Sequence, residues 1–291
     1  MMDDKDWLIL KTIAEEKNIT KSAERLYITQ PALTYRLKNL EKEFGAKLLS
    51  RSPNGVHLTH QGEFLLTYAK EMLLKLQETK ERIKNMENKV QGTLRLGVSA
   101  IFAYYNLPPI LKSFMEQYPD VEIALKTGLS AKIHRMLQKE EVSIAIIRGD
   151  YLWSEEKSLL REEPICLVSH EPIEMRNLPH KPQVSYMTDS SLKPLVDEWW
   201  RDSFDRPALI TMDVDSMDTC RQMVIHGLGW AILPETGLGK HSELYKQNLT
   251  WRNGNPLTRR TWIMYQTSSI ELSAVRAFVE FIHDYFQGTK K

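Results

Sequence analysis

Side chains that can read nucleobases stand close together near the N-terminus. Thr29, Gln30, Thr34 and Tyr35 surround Pro31 in the run TQPALTY, at the start of a predicted helix whose first turn tolerates proline. A Gln side chain can bond adenine through two hydrogen bonds, and a Thr methyl can meet the methyl of thymine. The spacing therefore predicts a helix end that contacts base edges in the major groove of DNA.

Basic residues surround this run. Between Lys17 and Arg51 eight basic side chains stand against three acidic ones, although the formal net charge of the whole chain is only +1. Such a local excess attracts a phosphate backbone, but charge alone is equally compatible with a solvated helix face. Lys21, Lys38, Arg51 and the turn residue Asn54 complete the predicted DNA-contacting set.

The elements around these residues form a small, recognisable unit. Apolar residues at three-and-four spacing predict helices over 6–16, 21–26 and from Pro31 to about Phe44, with small Ala23 at the crossing of the last two. Two short strands around Asn54-Gly55 predict a hairpin. Together these elements predict a winged helix-turn-helix over residues 1–60. His57 and His60 are better explained by alternation along the wing than by a metal pair.

A long helix is predicted over residues 61–91, because the segment has no proline and its one glycine, Gly62, stands at its start, with Gly92 just beyond its end. Apolar positions recur at four-and-three spacing, typical of a coiled-coil seam. The predicted dimer seam consists of Leu65, Met72, Leu76, Ile83 and Met86. The alternative is packing against the chain's own body, but a head of 60 residues offers little surface to cover such a helix.

Residues 92–291 alternate between predicted strands and helices, which indicates an α/β fold with parallel crossovers. Polar or small residues follow the first three strands of this region. They are Ser99 and Ala100, Thr127 and Gly128, and Arg148. Because ligands of such folds bind outside the carboxyl ends of strands, these positions predict a binding site.

The arginines indicate the chemistry of that ligand. A guanidinium can clamp a carboxylate through two hydrogen bonds, so Arg148 predicts a small anionic ligand held together with Ser99. Arg259 or Arg260, at the start of a later strand, is the candidate for a second clamp. The alternative for Arg148 is a surface ion pair with Asp150 or a nearby glutamate.

Several classes of site are disfavoured. The eight histidines are scattered, and no HExxH or GxSxG motif is present. Gly227 and Gly229 precede a predicted strand and lack the Lys-Ser/Thr of a phosphate loop. Cys166 and Cys220 have no neighbouring Cys or His partner, which argues against zinc and a disulfide. With no apolar signal core or membrane-length apolar run, we expect a cytoplasmic protein that is no enzyme and uses no cofactor or metal.

Motifs in the first sixty residues resemble the N-terminal signature of LysR-type transcriptional regulators. They are Ser22-Ala23-Glu24-Arg25-Leu26, Thr29-Gln30-Pro31-Ala32-Leu33-Thr34, Leu40-Glu41, Phe44-Gly45, Leu48-Leu49, Arg51 and Leu58-Thr59-His60-Gln61-Gly62. Leu49 stands where the family usually has Phe, and Thr29 and Thr34 stand where Ser is commoner. The later residues resemble the family by architecture.

This resemblance implies an α+β multi-domain fold. It has a winged helix-turn-helix head (1–60), a linker and dimerisation helix (61–91), and a two-lobed α/β effector domain (92–291) resembling periplasmic binding proteins. Lobe I would comprise 92–164 and 266–291, and lobe II 165–265. The chain would cross between the lobes near Pro164 and again near Tyr265.

The resemblance also implies a function. We expect a sequence-specific regulator, dimeric or tetrameric, whose partners are an inverted-repeat DNA operator, a small carboxylate effector and RNA polymerase. The turn Arg148-Gly149-Asp150 and the strand 166–169 resemble the citrate-responsive catabolite control subgroup. The alternative from another class is a ligand-binding or catalytic module that carries a DNA tether. A ligand that changes the DNA footprint without being consumed would distinguish the two.

Overall fold

The computed structural model describes residues 2–52, 55–85, 89–239 and 244–288. The chain divides into two compact units, Met1–Met86 and Glu87–Lys291. In the described ranges, no helix combines the length and the apolar character needed to cross a bilayer.

The first unit is a head of short helices, a hairpin and a long helix. Its elements are α1 (Asp4–Glu16), α2 (Ile19–Arg25), α3 (Gln30–Phe44), β1 (Leu49–Ser52), β2 (Gly55–Leu58) and α4 (His60–Asn85). The side chains of Asp3, Asn18 and Thr29 accept hydrogen bonds from the first turns of α1, α2 and α3. Such caps satisfy backbone donors that a helix start leaves unpaired.

The head core lies on both sides of α3. Leu33 and Leu37 pack with residues of α1 and with Ala23 of α2, which is small enough to permit the close helix crossing. Leu40 packs in a second cluster with Leu48 and residues of α4. These contacts fix α3 by its apolar stripe and leave its opposite face outside the core.

The beginning of α4 belongs to this head core, which corrects part of the predicted dimer seam. Leu65 is only 7% exposed and packs with Leu10, Leu40 and Ala69. It is therefore already covered by its own chain. Farther along, Met72 and Leu76 are half-buried and Ile83 is 61% exposed. The remaining seam position, Met86, lies outside the described residues.

The second unit contains the predicted alternation of strands and helices. In chain order the elements are β3 (Gly92–Ser99), α5 (Ala100–Tyr105), α6 (Leu107–Gln117), β4 (Val121–Gly128), α7 (Ser130–Gln138), β5 (Ile144–Arg148), β6 (Glu156–Ser169), β7 (Gln183–Tyr186), α8 (Leu192–Ser203), β8 (Ile210–Val214), α9 (Met217–Ile225), β9 (Ala231–Pro234), β10 (Tyr245–Asn248), β11 (Thr258–Tyr265) and α10 (Ser273–Gly288). Strands β4, β3, β5, β11, β6 and β10 pair in that order, β9 also pairs with β6, and β7 pairs with β8.

The long strand β6 joins two lobes. Its first part, from Glu156 to Pro164, pairs with β11, whereas its last part, from Ile165, pairs with β9 and β10. Lobe I therefore contains β3, β4, β5, the first part of β6, β11 and α10. Lobe II contains the rest of β6, β7 to β10, α8 and α9.

The second crossing between the lobes differs from the prediction near Tyr265. Strand β11 pairs with β5 of lobe I from Thr261 to Tyr265 and with the first part of β6 along its whole length. The chain therefore returns to lobe I before Thr258. Arg259 and Arg260 consequently belong to the lobe I sheet and not to the other lobe.

Candidate functional sites

The exposed face of α3 carries the predicted base-reading residues. Gln30, Pro31, Tyr35 and Lys38 are exposed and Thr34 is half-buried, while Leu33, Leu37 and Leu40 form the buried stripe. Four-and-three spacing places Pro31, Tyr35, Lys38 and Lys42 on one ridge of the helix. Lys42 was not among the predicted contacts, although this spacing could have identified it.

Local hydrogen bonds set the N-terminal end of this face. The Thr29 hydroxyl accepts a hydrogen bond from the amide of Ala32 at 3.4 Å, so it caps the helix as well as facing solvent. The Gln30 side-chain amide donates to the Thr34 hydroxyl at 3.4 Å. This bond holds Gln30 along the helix surface.

The basic residues near α3 differ in exposure and in pairing with acidic side chains. Lys21 and Lys38 are exposed. Arg36, by contrast, bonds Asp6 at 2.9 Å and Asp3 at 3.2 Å, and these acids form the capping box of α1. Asn54 and the side chain of Arg51 lie outside the described residues.

A buried ion pair joins β5, which runs parallel to β3, to β6, the strand that links the lobes. Arg148, at the end of β5, pairs with Glu163 of β6, and both side chains are almost fully buried. The second carboxylate oxygen of Glu163 accepts a hydrogen bond from the amide of Thr236 in lobe II, at 2.7 Å. Burial lowers the pKa of Arg148, against the opposing effect of Glu163, and the charge of Arg259 lowers it further.

A second ion pair, between a buried arginine and a half-buried aspartate, lies beside it. Arg259 of β11 bonds Asp189, which follows β7, at 2.6 Å. The Ser130 hydroxyl accepts from the amide of Arg148 at 3.2 Å and donates to Asp189 at 3.3 Å, so it connects the two pairs. Burial alone would raise the pKa of Asp189, but Arg259 and the hydrogen bonds from Ser191 hold it below its usual range.

These contacts correct the predicted roles of two arginines. Arg148 is committed to Glu163, so it is neither a free clamp nor the alternative surface ion pair. Arg260 points away from the junction: it is exposed and bonds Glu162 at 3.1 Å and Asp150 at 3.8 Å. Alternation along β11 places Arg259 on the inner face and Arg260 on the outer face.

The other predicted ligand residues are divided between surface and interior. Ser99 pairs with Gly128 at the ends of β3 and β4, and Gly128 is half-buried. Ala100 and Thr127 are exposed. The Ser99 hydroxyl is buried and finds no hydrogen-bond partner among the described residues, and the same holds for the Nε atom of Arg259. A buried donor without a partner is costly unless a ligand or water satisfies it.

Sequence reasoning missed Glu163, Asp189 and Ser130. The acids Glu162 and Glu163, which stand just before Pro164 and the apolar run 165–168, were one available signal, and the sequence Asp189-Ser190-Ser191 before a predicted helix was another. Neither signal identifies the partner, because Asp189 and Arg259 are 70 positions apart.

A winged helix-turn-helix joined to a two-lobed α/β domain defines a DNA-binding regulator with a separate ligand-binding module. The family model described as bacterial regulatory helix-turn-helix protein, lysR family, matches residues 5–63. The model described as LysR substrate binding domain matches residues 87–287. The chain belongs to the LysR family of transcriptional regulators, and it is therefore a DNA-binding protein and not an enzyme.

Individual relatives agree with this assignment. The chain is 41% identical over 281 residues to the uncharacterized HTH-type transcriptional regulator YraN of Bacillus subtilis (strain 168), covering 97% of each chain. It is 29% identical over 244 residues to the HTH-type transcriptional regulator CysL of the same organism, covering 80% of this chain and 81% of the relative.

Solved structures share the fold. Full-length CbnR complexed with its target DNA matches with a TM-score of 0.71 at 16% identity, covering 97% of this chain and 99% of that one. A full-length OxyR from Pseudomonas aeruginosa matches with a TM-score of 0.69 at 20% identity, covering 97% and 98%.

The buried pair yields a stability prediction. Arg148→Ala leaves Glu163 buried without its cation, so we expect the free energy of unfolding of the effector domain to fall by about 3–5 kcal/mol. Arg260→Ala removes an exposed pair and should cost less than about 1 kcal/mol. Urea unfolding of the two variants measures both values. Equal and small losses would contradict the importance of the buried pair.

Proposed function

We propose that this regulator reads its operator with the exposed face of α3, and that a small carboxylate bound where the two lobes meet controls its DNA binding. The observation that carries the ligand proposal is the buried Ser99 hydroxyl and the buried Arg259 Nε, neither of which has a partner among the described residues. Since its partner is DNA, we place the protein in the cytoplasm.

The donors at the junction favour an acceptor-rich ligand. Both acids at the junction, Glu163 and Asp189, already accept hydrogen bonds from arginines. The groups left without partners are a hydroxyl and a guanidinium nitrogen, and a carboxylate can accept from both. Citrate and other di- or tricarboxylates are therefore the first compounds to test, with the Arg259 Nε donating one hydrogen bond in place of the two-bond clamp first expected of Arg148.

Control of DNA binding follows from linkage. A ligand shifts DNA affinity only as far as it binds one conformation of the chain better than another. Ser99 ends β3 in lobe I, and Asp189 and Arg259 join the two lobes, so a ligand bonded to both Ser99 and Arg259 would stabilise one lobe arrangement. We propose that this arrangement sets the spacing of two heads on an inverted repeat, and that the DNA-bound protein contacts RNA polymerase.

The two heads require an oligomer. Beyond the head core, α4 carries Met72, Leu76 and Ile83 at the predicted seam spacing, and Leu76 lines a groove with Leu8 and Leu73. We propose that a second copy covers this part of α4 in a dimer or tetramer.

The first prediction for this function separates base reading from phosphate binding. Gln30→Ala should weaken binding to the specific operator by about 1–3 kcal/mol and leave binding to random DNA almost unchanged. Lys38→Ala should weaken both and reduce the salt dependence of log K by about one unit. Titrations at several salt concentrations measure both effects. Equal losses of Gln30→Ala on both DNAs would refute base reading.

A second prediction tests the seam. Leu76→Lys places a charge in the proposed interface opposite its symmetry mate, so the dimer should dissociate at low micromolar concentration and tight operator binding should be lost. Lys75→Ala, on the outside of the same turn, is the control and should change little. Sedimentation that shows the same oligomer for both variants would place the interface elsewhere.

A third prediction tests the effector site by calorimetric titration of citrate and related carboxylates. Ser99→Ala should weaken binding by about 0.5–1.5 kcal/mol for one neutral hydrogen bond. Arg259→Lys keeps the charge beside Asp189 but loses the planar guanidinium, and should cost more. The controls Thr127→Ala and Arg260→Lys lie on exposed faces and should bind like wild type. A carboxylate that binds all four variants equally well would show that its site is elsewhere.

A further inference from the structure

A cavity of about 640 Å³ lies in lobe II between α8 and the parallel pair formed by β7 and β8. This volume is in the range of small-molecule sites in proteins. Neither Ser99 nor Arg259 lines it. It is therefore distinct from the junction site proposed above, and the inference made from it does not depend on that proposal.

The body of the cavity is apolar and aromatic. One side of α8 and the facing strands supply Leu192, Val196, Trp200, Phe204, Ile210 and Ile232. Trp200 is held firmly: its ring stacks on Trp230 at a centroid distance of 5.6 Å, and its indole N–H donates to the carbonyl oxygen of Arg206 at 2.9 Å. Fixed rings offer a preformed surface to an apolar ligand.

The rim carries charged groups with different degrees of pairing. Lys193 and Asp197 lie 3.8 Å apart on successive turns of α8 and neutralise each other. Arg201 and Arg206 also line the cavity, together with Asp205. Among the described ion pairs neither arginine has a carboxylate partner. The Arg201 Nε donates to the carbonyl oxygen of Asp197, and the Arg206 Nη1 lies 3.5 Å from the Nε2 of His180.

A buried polar atom lies in the same wall. The Thr188 hydroxyl is buried and has no hydrogen-bond partner among the described residues, although its residue lines the cavity. A ligand with a polar atom at that position would satisfy it.

We propose that this cavity is a second ligand site, which binds a small amphipathic anion. The apolar or aromatic body of the ligand lies against Trp200, Phe204 and Ile210, and its carboxylate or sulfonate is held by the guanidinium groups of Arg201 and Arg206. Two guanidiniums without carboxylate partners are the reason for assigning a negative charge to the ligand.

The test uses the aromatic sulfonate 8-anilinonaphthalene-1-sulfonate as the probe and a thiol at the rim as the reporter. Ile210 is 55% exposed and lines the cavity, so Ile210→Cys introduces an accessible thiol there. The native Cys166 and Cys220 are both buried. Burial raises the pKa of the Cys166 thiol to about 11 and that of the Cys220 thiol to about 12, so neither competes for an alkylating reagent near neutral pH.

The expected result is site-specific protection in the full-length protein. Saturating probe should slow alkylation of the Ile210→Cys thiol about fivefold or more, because the bound probe covers the rim. Adding Arg201→Ala and Arg206→Ala should raise the probe concentration needed for half protection about tenfold or more, the loss typical of charge-assisted hydrogen bonds. Both arginines lie at the surface, so their replacement does not threaten folding.

The control thiol is Leu228→Cys, whose residue is 44% exposed and does not line the cavity, and its alkylation should be unchanged by the probe. The proposal is overturned by any of three results. The Ile210→Cys thiol reacts equally fast with and without the probe, its protection persists unchanged without the two arginines, or it is unreactive because another subunit covers the rim.

Discussion

Four charges at the junction of the lobes, three of them buried and Asp189 half-buried, constrain the rest of the effector domain. Arg148, Glu163 and Arg259 lie in β5, β6 and β11, Asp189 lies just beyond β7, and each of the four lies beside an opposite charge. Removing such groups from water costs several kcal/mol per ion, so each must meet its partner in good geometry. The position of one strand against the next is therefore fixed where the chain passes between lobes.

The head follows a different principle, because apolar contacts and helix caps hold it together. Leu33, Leu37 and Leu40 anchor α3 by one stripe, and the Thr29 cap fixes its first turn, so the opposite ridge is presented as a rigid surface. Pairing of Arg36 with Asp3 and Asp6 belongs to the same scaffold. Tyr35 and Lys38, which we propose to contact DNA, are exposed and lie outside this scaffold.

Helices and strands could be predicted from the sequence better than the contact partners of individual side chains. Periodicity gave the winged helix-turn-helix and the α/β alternation, since apolar spacing reports which face is buried. It failed for Leu65, because four-and-three spacing is the same for a coiled-coil seam and for packing on the head core. Arg259 and Arg260 are adjacent, and only the pairing of β11 decides which of them points inward. The partner of Arg148 could not be read at all, since Glu163 stands in another strand.

We propose that ligand binding at the lobe junction and DNA binding by the head are coupled, so each partner should change the affinity of the other. The affinity of a carboxylate that stabilises the protein should be measured by calorimetry with and without saturating operator DNA. We expect that DNA changes the carboxylate affinity, and by the same factor by which the carboxylate changes the DNA affinity. A carboxylate that binds wild type with one affinity, whether or not operator DNA is present, would contradict it.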